Sequence, residues 1–468
     1  MQRATKATMV QVDNELLNTL KMFDRPGPRY TSYPTAPIFS TEYNDKRYEI
    51  DVIRNNHENP APLSLYLHIP FCDTLCYFCG CTTVITRNRD QIATYLKALE
   101  TEIGRMAAYI DRDRQITQMH WGGGSPSYLE PGEIEGLSAF LKKHFRFAED
   151  AEISVEIDPR GLTFEHMKAF RTMGVNRISL GVQDFDERVQ RAVHRLQPET
   201  MTRQALDWAA TLGITSTNID LIYGLPLQTL ETFQSTLDKV VDISPDRIAV
   251  FNFAYVPWMK PHQRLIHSED LPDTDTKLQL LGASVETLTR AGYEYIGMDH
   301  FAKPDDELAV AQRQKALHRN FQGYSTKAGA DLYAFGMSAI SHFGDVYAQN
   351  AKTLPEYLAA VESKRFPTAV GYKMTKDDQI RKFVIMRLMC DLEVEKAEVE
   401  DFFNISFDEY FDSSIEQLFD FTRLGMVRHS LNRITIEESG RLVLRNIAMC
   451  FDAYLNRFKE RQLFSRTV

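Results

Sequence analysis

The sequence has no long apolar run and no excess of positive charge. No apolar stretch in its 468 residues approaches the ~20 residues that cross a bilayer, so we expect no transmembrane helix. The first residues, MQRATKATMVQVDNELL, lack the apolar core of a secretory signal, and we expect none. A formal net charge of -10 argues against a nucleic acid or an anionic membrane as the main partner.

Cysteine is also scarce, at six residues, and four of these lie within the ten positions 72–81. Clustered free thiols fit a reducing cytoplasm. The other two, Cys390 and Cys450, stand singly in apolar surroundings and are predicted to be small core residues. With 43% hydrophobic and 25% charged residues, the chain has the composition of a globular protein with one large catalytic domain and one or two smaller ones.

The cysteine-rich stretch reads YLHIPFCDTLCYFCGC and spans residues 66–81. Cys72, Cys76 and Cys79 follow an apolar strand, so a loop can turn their thiolates towards one face of an iron–sulfur cube. The tight spacing disfavours a disulfide pair. A structural zinc site would need a second pair of ligands downstream, and none follows. Three ligands on a four-iron cluster leave one iron open, which indicates chemistry rather than scaffolding.

Apolar, β-branched runs alternate with segments of helical periodicity from residue 62 onwards. This alternation predicts right-handed parallel crossovers and an α/β fold, rolled into a partial (β/α)6 barrel rather than a closed one. Cysteine, glycine and polar residues follow the strands, at the ends where parallel barrels form their sites. The predicted strands are 63–69, 118–124, 151–158, 176–183, 217–226 and 247–257, and the predicted helices are 90–109, 131–144, 186–212 and 229–241.

Three regions divide the chain. Residues 1–60 form an N-terminal segment with one amphipathic helix near 12–23 and a proline-rich stretch, RPGPRYTSYPTAP, that takes an extended, turning path. Residues 61–374 form the catalytic barrel. Residues 375–468 are mainly helical, with two short strands that give a winged-helix-like pattern. Because this region has no strongly basic recognition helix, we expect it to cap the barrel rather than to bind DNA.

The cysteine spacing is similar to that of a known enzyme group. Cys72, Cys76 and Cys79, with Phe78 directly before the third cysteine, resemble the motif of the radical S-adenosylmethionine enzymes. The extension to Cys81 and the preceding YLHIPF resemble more narrowly the oxygen-independent coproporphyrinogen III oxidases. The resemblance covers nearly the entire chain, from GPRYTSYPTA to FSR.

This resemblance implies a 4Fe-4S cluster held by Cys72, Cys76 and Cys79, and two molecules of S-adenosylmethionine. The implied reaction is the anaerobic oxidative decarboxylation of two propionates of coproporphyrinogen III to vinyl groups, through a 5'-deoxyadenosyl radical. The product is protoporphyrinogen IX, in haem biosynthesis. A cytoplasmic monomer that takes electrons from a small donor protein is also implied, with neither nucleic acid nor a membrane span.

The resemblance also implies roles for single residues. Cys81 is expected to be a catalytic thiol that does not bind the cluster, since a fourth ligand would close the open iron. The first S-adenosylmethionine site is expected to comprise Tyr66, Gly123, Glu156 and Ile340. The second is expected to comprise Phe78, Gly124, Ser125, Gln183, Arg195, Asp220 and Ala254.

Several of these residues also have a plainer interpretation. The glycine triplet 122–124 is what an ordinary turn requires. Glu156 lies in a strand, where burying its carboxylate is costly unless it is paired or bound to a ligand, and Asp158 competes with it as a helix cap. Arg195, in a segment of helical periodicity, would by itself be a solvated surface cation.

Candidate substrate contacts come from two places. His300, His318 and Arg319 lie in polar, loop-like stretches and are hypothesised to bind propionates. The family resemblance adds Arg29 and Tyr30, because the N-terminal segment of the family covers the mouth of the active site.

Two other functions share the cluster motif. A haem-binding or haem-transfer protein with a vestigial cluster would bind haem tightly and consume no S-adenosylmethionine. A radical enzyme that opens or methylates a tetrapyrrole would produce a different change in mass. Cys81 and the complete second-site set favour the oxidase over both.

Overall fold

The computed structural model describes residues 12–58, 60–458 and 463–467. These residues form one large sheet surrounded by helices, and a smaller, mainly helical region towards the C-terminus. The strands are β1 Leu63–Ile69, β2 Phe71–Cys72, β3 Val84–Ile85, β4 Gln115–Gly123, β5 Arg146–Ile157, β6 Arg177–Gln183, β7 Ser216–Tyr223, β8 Arg247–Asn252, β9 Glu294–Gly297, β10 His300–Ala302, β11 His318–Asn320, β12 Gly323–Ser325, β13 Asp331–Phe335, β14 Ile340–Phe343, β15 Val346–Asn350, β16 Thr368–Lys373, β17 Glu393–Glu395, β18 Val427–His429 and β19 Arg433–Ile436.

Helices fill most of the remaining chain. The α-helices are α1 Asn14–Lys21, α2 Asp45–Glu58, α3 Arg89–Ala107, α4 Pro131–His144, α5 Phe164–Met173, α6 Glu187–Ala192, α7 Glu199–Thr211, α8 Leu230–Ile243, α9 Thr274–Arg290, α10 Glu307–Arg313, α11 Leu354–Glu362, α12 Lys376–Asp391, α13 Lys396–Phe403, α14 Phe407–Tyr410, α15 Asp412–Gln417, α16 Phe419–Arg423 and α17 Leu444–Met449. The 3-10 helices are Ala36–Ile38, Pro126–Tyr128, Pro261–Leu265, Ser268–Asp270, Glu438–Val443 and Leu455–Phe458. In the part of the chain that the structure describes, no helix has the length and apolar character needed to traverse a bilayer.

The large sheet has a parallel centre and antiparallel edges. Its strand order is β16-β15-β14-β13-β1-β4-β5-β6-β7-β8-β10-β9. Strands β13, β1 and β4 to β8 are parallel, whereas β14 to β16 at one edge and β10 with β9 at the other are antiparallel. The six predicted strands are confirmed as β1 and β4 to β8. Strand β13 is a further parallel strand that the sequence pattern does not predict.

Alternation along β1 separates the core from the barrel interior. Every second residue packs in the main hydrophobic core together with residues of α3, namely Leu63, Leu65, Leu67 and Ile69. The residues between them face the other side of the sheet. There Tyr66 pairs in register with His120 of β4, and their rings stack with centroids 5.9 Å apart. The interior of the barrel is therefore polar and aromatic.

The predicted helix over 186–212 is wrong, because the chain forms two helices there. Helix α6 ends at Ala192, and α7 begins at Glu199 after an N-cap at Pro198. Proline disfavours a helical residue before it, and His194 in the break has a φ of +56°, which a continuous helix does not allow. Arg195 therefore lies in a loop and not on a helix.

The N-terminal segment is tied to the C-terminal region. Helix α1 confirms the amphipathic helix predicted near 12–23, and residues 1–11 lie outside the described residues. The Tyr30 hydroxyl donates to Asp452 at 2.9 Å, and Arg445 donates to the carbonyls of Pro28 and Gly27. A segment with such anchors is not a loose linker.

The C-terminal region has the predicted winged-helix-like shape. Helices α12 to α16 pack with a small antiparallel sheet in the order β17-β19-β18, whose strands β18 and β19 follow α16. Strand β17, between α12 and α13, completes this sheet and is not predicted by the sequence pattern. Cys390 and Cys450 are both buried, and both belong to the core that joins this region to the N-terminal segment, in agreement with their prediction as core residues.

A buried ion pair fastens β13 to the barrel. The Asp331 carboxylate accepts hydrogen bonds from Arg114 and from Asn55 Nδ2, the latter at 2.6 Å. The Arg114 and Asp331 side chains are 6% and 7% exposed. We expect Asp331→Ala to lower the free energy of unfolding by about 3–5 kcal/mol, because it leaves a buried guanidinium without its anion. Urea denaturation of the purified protein measures the change.

Asp113→Ala is the matched control, since its ion pair with Arg146 is exposed on both sides. It should change the free energy of unfolding by less than about 1 kcal/mol. Equal effects of Asp331→Ala and Asp113→Ala would contradict the importance of the buried pair.

Candidate functional site

The cysteine loop lies between β2 and β3 and is held by residues from later parts of the barrel. His262 Nε2 donates to the Cys79 carbonyl at 2.8 Å. His194, in the break between α6 and α7, donates from Nδ1 to the Leu75 carbonyl at 2.9 Å. Because these bonds use backbone carbonyls of the loop, they leave the cysteine side chains free to point elsewhere.

The thiols of the loop differ in protonation. Burial raises the pKa of Cys72 to about 12. The hydrogen bond from Cys81 lowers the pKa of Cys79 below its usual value and raises the pKa of Cys81 above its usual value. Cys81 is the donor of this hydrogen bond, and Cys79 is the acceptor.

The donor set fits an iron–sulfur cube. Two guanidinium groups reach Cys76 Sγ, which suits an anionic thiolate ligand better than a neutral thiol. Binding iron would displace the proton of Cys72. Among the described residues, no three His, Cys, Asp or Glu side chains converge to hold a single metal ion. A cube does not require such convergence, because each thiolate binds a different iron.

Glu156 of β5 is held by donors from β4. Its carboxylate accepts from Gly123 N at 3.1 Å and from His120 Nε2 at 3.2 Å. Burial raises the pKa of Glu156, but the bonds from His120 and Gly123 outweigh burial, so the pKa lies below its usual value. Gly123 has a φ of +115°, and a Cβ there would lie 2.6 Å from the His68 ring. Glu156 is therefore an ionised carboxylate, and its hydrogen bonds from His120 and Gly123 offset the cost of placing a charge in a strand.

Most of the predicted site residues line one cavity of about 250 Å³ at the carboxyl ends of the parallel strands. They are Cys72, Cys76, Phe78, Cys79, Cys81, Gly123, Gly124, Ser125, Glu156, Gln183, Arg195 and Asp220. A second cavity of about 240 Å³ is lined by Tyr66, Ile340 and again Glu156. The two predicted cofactor sets therefore meet at Glu156, while the roles of the single residues stay predictions.

Arg195 is buried, at 7% exposure, and is not the surface cation that its sequence context indicates. Its Nη1 donates to Asp158 Oδ2 at 3.0 Å, and its Nη2 donates to the Gly181 carbonyl at 2.7 Å. Within the described residues its buried Nε has no hydrogen-bond partner. The break between α6 and α7 brings this guanidinium to the cysteine loop.

Asp220 of β7 lines the cavity of about 250 Å³ together with the cysteine loop. Its carboxylate accepts from Ser179 Oγ at 3.0 Å and from Asn218 Nδ2 at 2.8 Å. Burial raises the pKa of Asp220 to about 6. Gln183, which ends β6, adopts a φ of +70° where the register with β7 shifts. This irregularity turns the chain at the cavity's edge.

Gln263 contacts two of the predicted site residues, and the sequence pattern does not reveal it. It is fully buried, and its Nε2 donates to the carbonyls of Phe78 and Ala254, each at 3.1 Å. Its Oε1 accepts from Val256 N at 2.6 Å. Gln263 thereby joins two residues of the predicted second cofactor set. A glutamine in a short 3-10 helix after β8 has no local feature that could have found it.

The structure separates the candidate substrate residues. His300 and Arg319 lie together, whereas His318 points to another cavity, since successive residues of a strand face opposite sides. Burial, and then Arg319, lower the pKa of His300 to about 3, and burial lowers that of His318 to about 4. Both histidines are thus neutral near pH 7. Tyr30 is 1% exposed, and its hydroxyl is already bonded to the C-terminal region.

Two of the candidate substrate residues, Arg29 and Arg319, are arginines that lie near the barrel interior. Arg29 donates to Asp299 Oδ2 at 3.2 Å and to the Asn252 carbonyl at 3.0 Å, so the N-terminal segment reaches the end of β8. Arg319 is 6% exposed and lies over the Tyr324 ring at 4.6 Å. Its Nε and Nη1 are buried and have no hydrogen-bond partner in the described part of the chain.

The partial barrel with a three-cysteine loop after its first strand defines the class of the protein. A family profile described as the Radical SAM superfamily matches residues 66–240, and one described as the HemN C-terminal domain matches residues 374–443. This class carries a 4Fe-4S cluster and uses S-adenosylmethionine. The chain is therefore built on the radical S-adenosylmethionine barrel.

More similar proteins define the family. An oxygen-independent coproporphyrinogen III oxidase of Escherichia coli is 45% identical over 458 residues, covering 98% of this chain and 99% of its own. That of Synechocystis sp. is 44% identical over 463 residues, covering 98% of both chains. The solved structure of the radical SAM coproporphyrinogen III oxidase HemN from E. coli superposes with a TM-score of 0.90 at 44% identity, covering 95% of this chain and 100% of that one. This chain belongs to the oxygen-independent coproporphyrinogen III oxidase family.

Proposed function

We propose that this chain converts coproporphyrinogen III to protoporphyrinogen IX without oxygen, by oxidative decarboxylation of two propionates, in haem biosynthesis. Its relatives in two bacteria carry the name of that oxidase, and they align with it over nearly the whole length. The single observation that carries the proposal is the cavity of about 250 Å³, where the cysteine loop meets Glu156, Arg195 and Asp220.

The cysteine loop is proposed to hold the cluster through Cys72, Cys76 and Cys79. When bound, the cluster and S-adenosylmethionine supply the electron and the 5'-deoxyadenosyl radical that removes hydrogen from a propionate chain. The protein's part is to orient these groups and to exclude water. Glu156, held ionised by its donors, is suited to a cationic end of the first S-adenosylmethionine, beside Tyr66, Gly123 and Ile340.

Charges around Gly181 support a second S-adenosylmethionine. Arg195 donates to the Gly181 carbonyl, and Asp220 pairs with Gly181 in the sheet register. A guanidinium and a carboxylate therefore lie on either side of Gly181. This pair of charges is complementary to a ligand that carries both a carboxylate and cationic groups. The unpartnered Nε of Arg195 is the donor proposed for the ligand carboxylate. Phe78, Gly124, Ser125, Gln183 and Ala254 complete this proposed site.

Cys81 is proposed to act as a thiol and not as a ligand. It is the exposed cysteine of the loop and lines the same cavity as the three proposed ligands. A fourth protein ligand would close the open iron, whereas a thiol beside the cluster can donate a proton or a hydrogen atom. Lys260 donates to the Cys81 carbonyl at 2.9 Å and fixes the backbone there.

Arg319 is proposed to bind one propionate of the substrate. A buried guanidinium with two unpartnered donors, Nε and Nη1, is unfavourable unless acceptors meet it, and a propionate carboxylate can accept from either of them. We expect Arg319→Gln to raise KM for coproporphyrinogen III about thirtyfold or more, ~2 kcal/mol, with a smaller effect on kcat. Steady-state kinetics of the reconstituted enzyme measure both.

The control for Arg319 is Arg313→Gln, which removes an exposed cation paired with Glu294. It should leave KM within a factor of two or so, as surface pairs contribute little. An unchanged KM in Arg319→Gln would remove this residue from the substrate site.

The proposed reaction is tested by an anaerobic assay. Reconstituted protein, S-adenosylmethionine, a chemical reductant and coproporphyrinogen III are incubated, and the tetrapyrrole is followed by mass spectrometry. The expected result is stepwise loss of two carboxyl groups. Tight haem binding without consumption of S-adenosylmethionine would instead identify a haem carrier, and another mass change would identify a different tetrapyrrole enzyme.

The proposal also includes the compartment, the oligomeric state and the electron donor of the enzyme. We infer a cytoplasmic monomer, because its clustered thiols require a reducing compartment and the proposed site is built within one chain. A small one-electron carrier protein is proposed as the physiological reductant. Omitting the chemical reductant and adding reduced candidate carriers one at a time tests that partner.

A further inference from the structure

Cys76 differs from the other two proposed ligands in its surroundings. Arg160 Nη2 lies 3.3 Å from Cys76 Sγ, and Arg195 Nη1 lies 3.6 Å from the same sulfur. Within the described residues, no guanidinium hydrogen bond reaches the sulfur of Cys72 or Cys79. Two guanidinium groups therefore contact the sulfur at one corner of the proposed cluster directly, and none does so at the other two.

Asp158 places both guanidinium groups. Its Oδ2 accepts from Arg160 Nη2 at 2.7 Å and from Arg195 Nη1 at 3.0 Å, the same two nitrogens that face the sulfur. Its Oδ1 accepts from Arg160 N at 3.0 Å. The side chains of Asp158, Arg160 and Arg195 are 19%, 20% and 8% exposed. Solvent therefore screens these charges only weakly.

Arg160 has no other role in the proposed mechanism. It follows Asp158 and Pro159 directly after β5, so the end of that strand brings its guanidinium to the cysteine loop. It lines the site cavity together with Cys76, and the neighbouring cavity of about 800 Å³ together with Cys72. Its hydrogen bonds go to Asp158 and to the sulfur.

Hydrogen bonds and charge at a ligand sulfur change the reduction potential of an iron–sulfur cluster. When the cluster accepts one electron from a reductant, negative charge spreads onto the sulfurs. A neighbouring guanidinium stabilises the reduced form more than the oxidised form and raises the potential, while a neighbouring carboxylate lowers it. We propose that Arg160 raises and Asp158 lowers the reduction potential of the cluster, acting through Cys76. This inference rests on the proposed role of Cys76 as a ligand.

The test is a redox titration of the reconstituted protein without S-adenosylmethionine. Dithionite or titanium(III) citrate supplies the electron, and the electron paramagnetic resonance signal of the reduced cluster is recorded at each potential. For Arg160→Gln we expect about a tenfold smaller ratio of reduced to oxidised cluster at a fixed potential, which is a shift of ~59 mV to more negative values. Asp158→Asn should shift the midpoint in the opposite direction.

Two further variants sharpen the result. Arg160→Lys keeps the charge but loses the planar fork, so its midpoint should fall between those of the wild type and Arg160→Gln. Arg89→Gln is the control, because Arg89 lines the neighbouring cavity with Cys72 but donates to the Tyr128 carbonyl and Glu133. Its midpoint should match the wild type. Should Arg160→Gln fail to hold iron, Arg160→Lys and Asp158→Asn still decide the sign.

The outcomes separate this inference from the proposed function. Wild-type protein that binds no cluster would remove the ligand assignment and this inference together. A wild-type cluster with equal midpoints in all variants, or shifts of the same sign in Arg160→Gln and Asp158→Asn, would overturn the inference alone. Such a result would make the trio of Asp158, Arg160 and Arg195 a packing feature.

Discussion

Replacing any one of Cys72, Cys76 and Cys79 by alanine is expected to abolish both cluster binding and oxidase activity. Each of these thiols lines the cavity of about 250 Å³. Loss of one thiolate leaves an iron without its protein bond, and the cluster is lost or left unable to bind the cofactor productively. Iron content, the visible absorption of the cluster and turnover are measured after anaerobic reconstitution.

Other cysteines provide matched controls for this experiment. Cys390→Ala and Cys450→Ala remove buried thiols of the C-terminal core and should keep full iron content and turnover. Cys81→Ala should keep the iron but lose conversion, because its thiol is proposed to act in catalysis. A Cys72, Cys76 or Cys79 variant that keeps iron and turnover would refute its ligand role, and loss of iron in Cys81→Ala would make Cys81 a ligand.

Replacing Arg195 by alanine is expected to keep the cluster but to reduce conversion by about a hundredfold or more. The variant removes the guanidinium that Asp158 and the Gly181 carbonyl fix at the cavity. The carboxylate of the second S-adenosylmethionine would then lack its guanidinium partner, and the cofactor would be misplaced for reaction. Iron content and vinyl formation are measured side by side. Arg195→Lys should recover little activity, since an ammonium lacks the guanidinium fork.

Arg188→Ala is the control for Arg195→Ala. Arg188 lies on α6 with its side chain 69% exposed and is not among the residues that line the cavity of about 250 Å³, so removing it takes away a surface positive charge. It should leave conversion unchanged. Normal vinyl formation by Arg195→Ala would argue against a second cofactor site.

The sequence alone predicts the parallel strands and the cysteine loop because both have strong local patterns. Strand β13 has no such pattern: its residues are all buried, so DLYAF shows no alternation, and five residues are short for a buried run to be assigned. The sequence pattern does not reveal the break at 193–198, because the apolar residues of α6 and α7 have a spacing that fits one continuous helix. Only Pro198 signals the end of that apparent helix.

The site residues also divide into those with a local sequence pattern and those without one. The cysteines and the glycine triplet stand close together in sequence, so their spacing carries the prediction. Arg195 looks like a surface cation because its burial depends on contacts with Asp158 and Gly181, which are distant in sequence. Gln263 bonds to Phe78, which lies 185 positions earlier in the chain, and to Ala254, which lies 9 positions earlier. Such long-range contacts are fixed by tertiary packing and leave no mark on a local pattern.

The two termini of the described chain meet. Pro26 pairs with Arg466, Thr467 N donates to the Arg25 carbonyl at 2.9 Å, and Gly27 N donates to the Ser465 carbonyl at 3.1 Å. During translation residues 445–467 emerge from the ribosome after the barrel strands. The N-terminal segment therefore reaches its final contacts only once those later residues have been made, so its docking is a late step of folding.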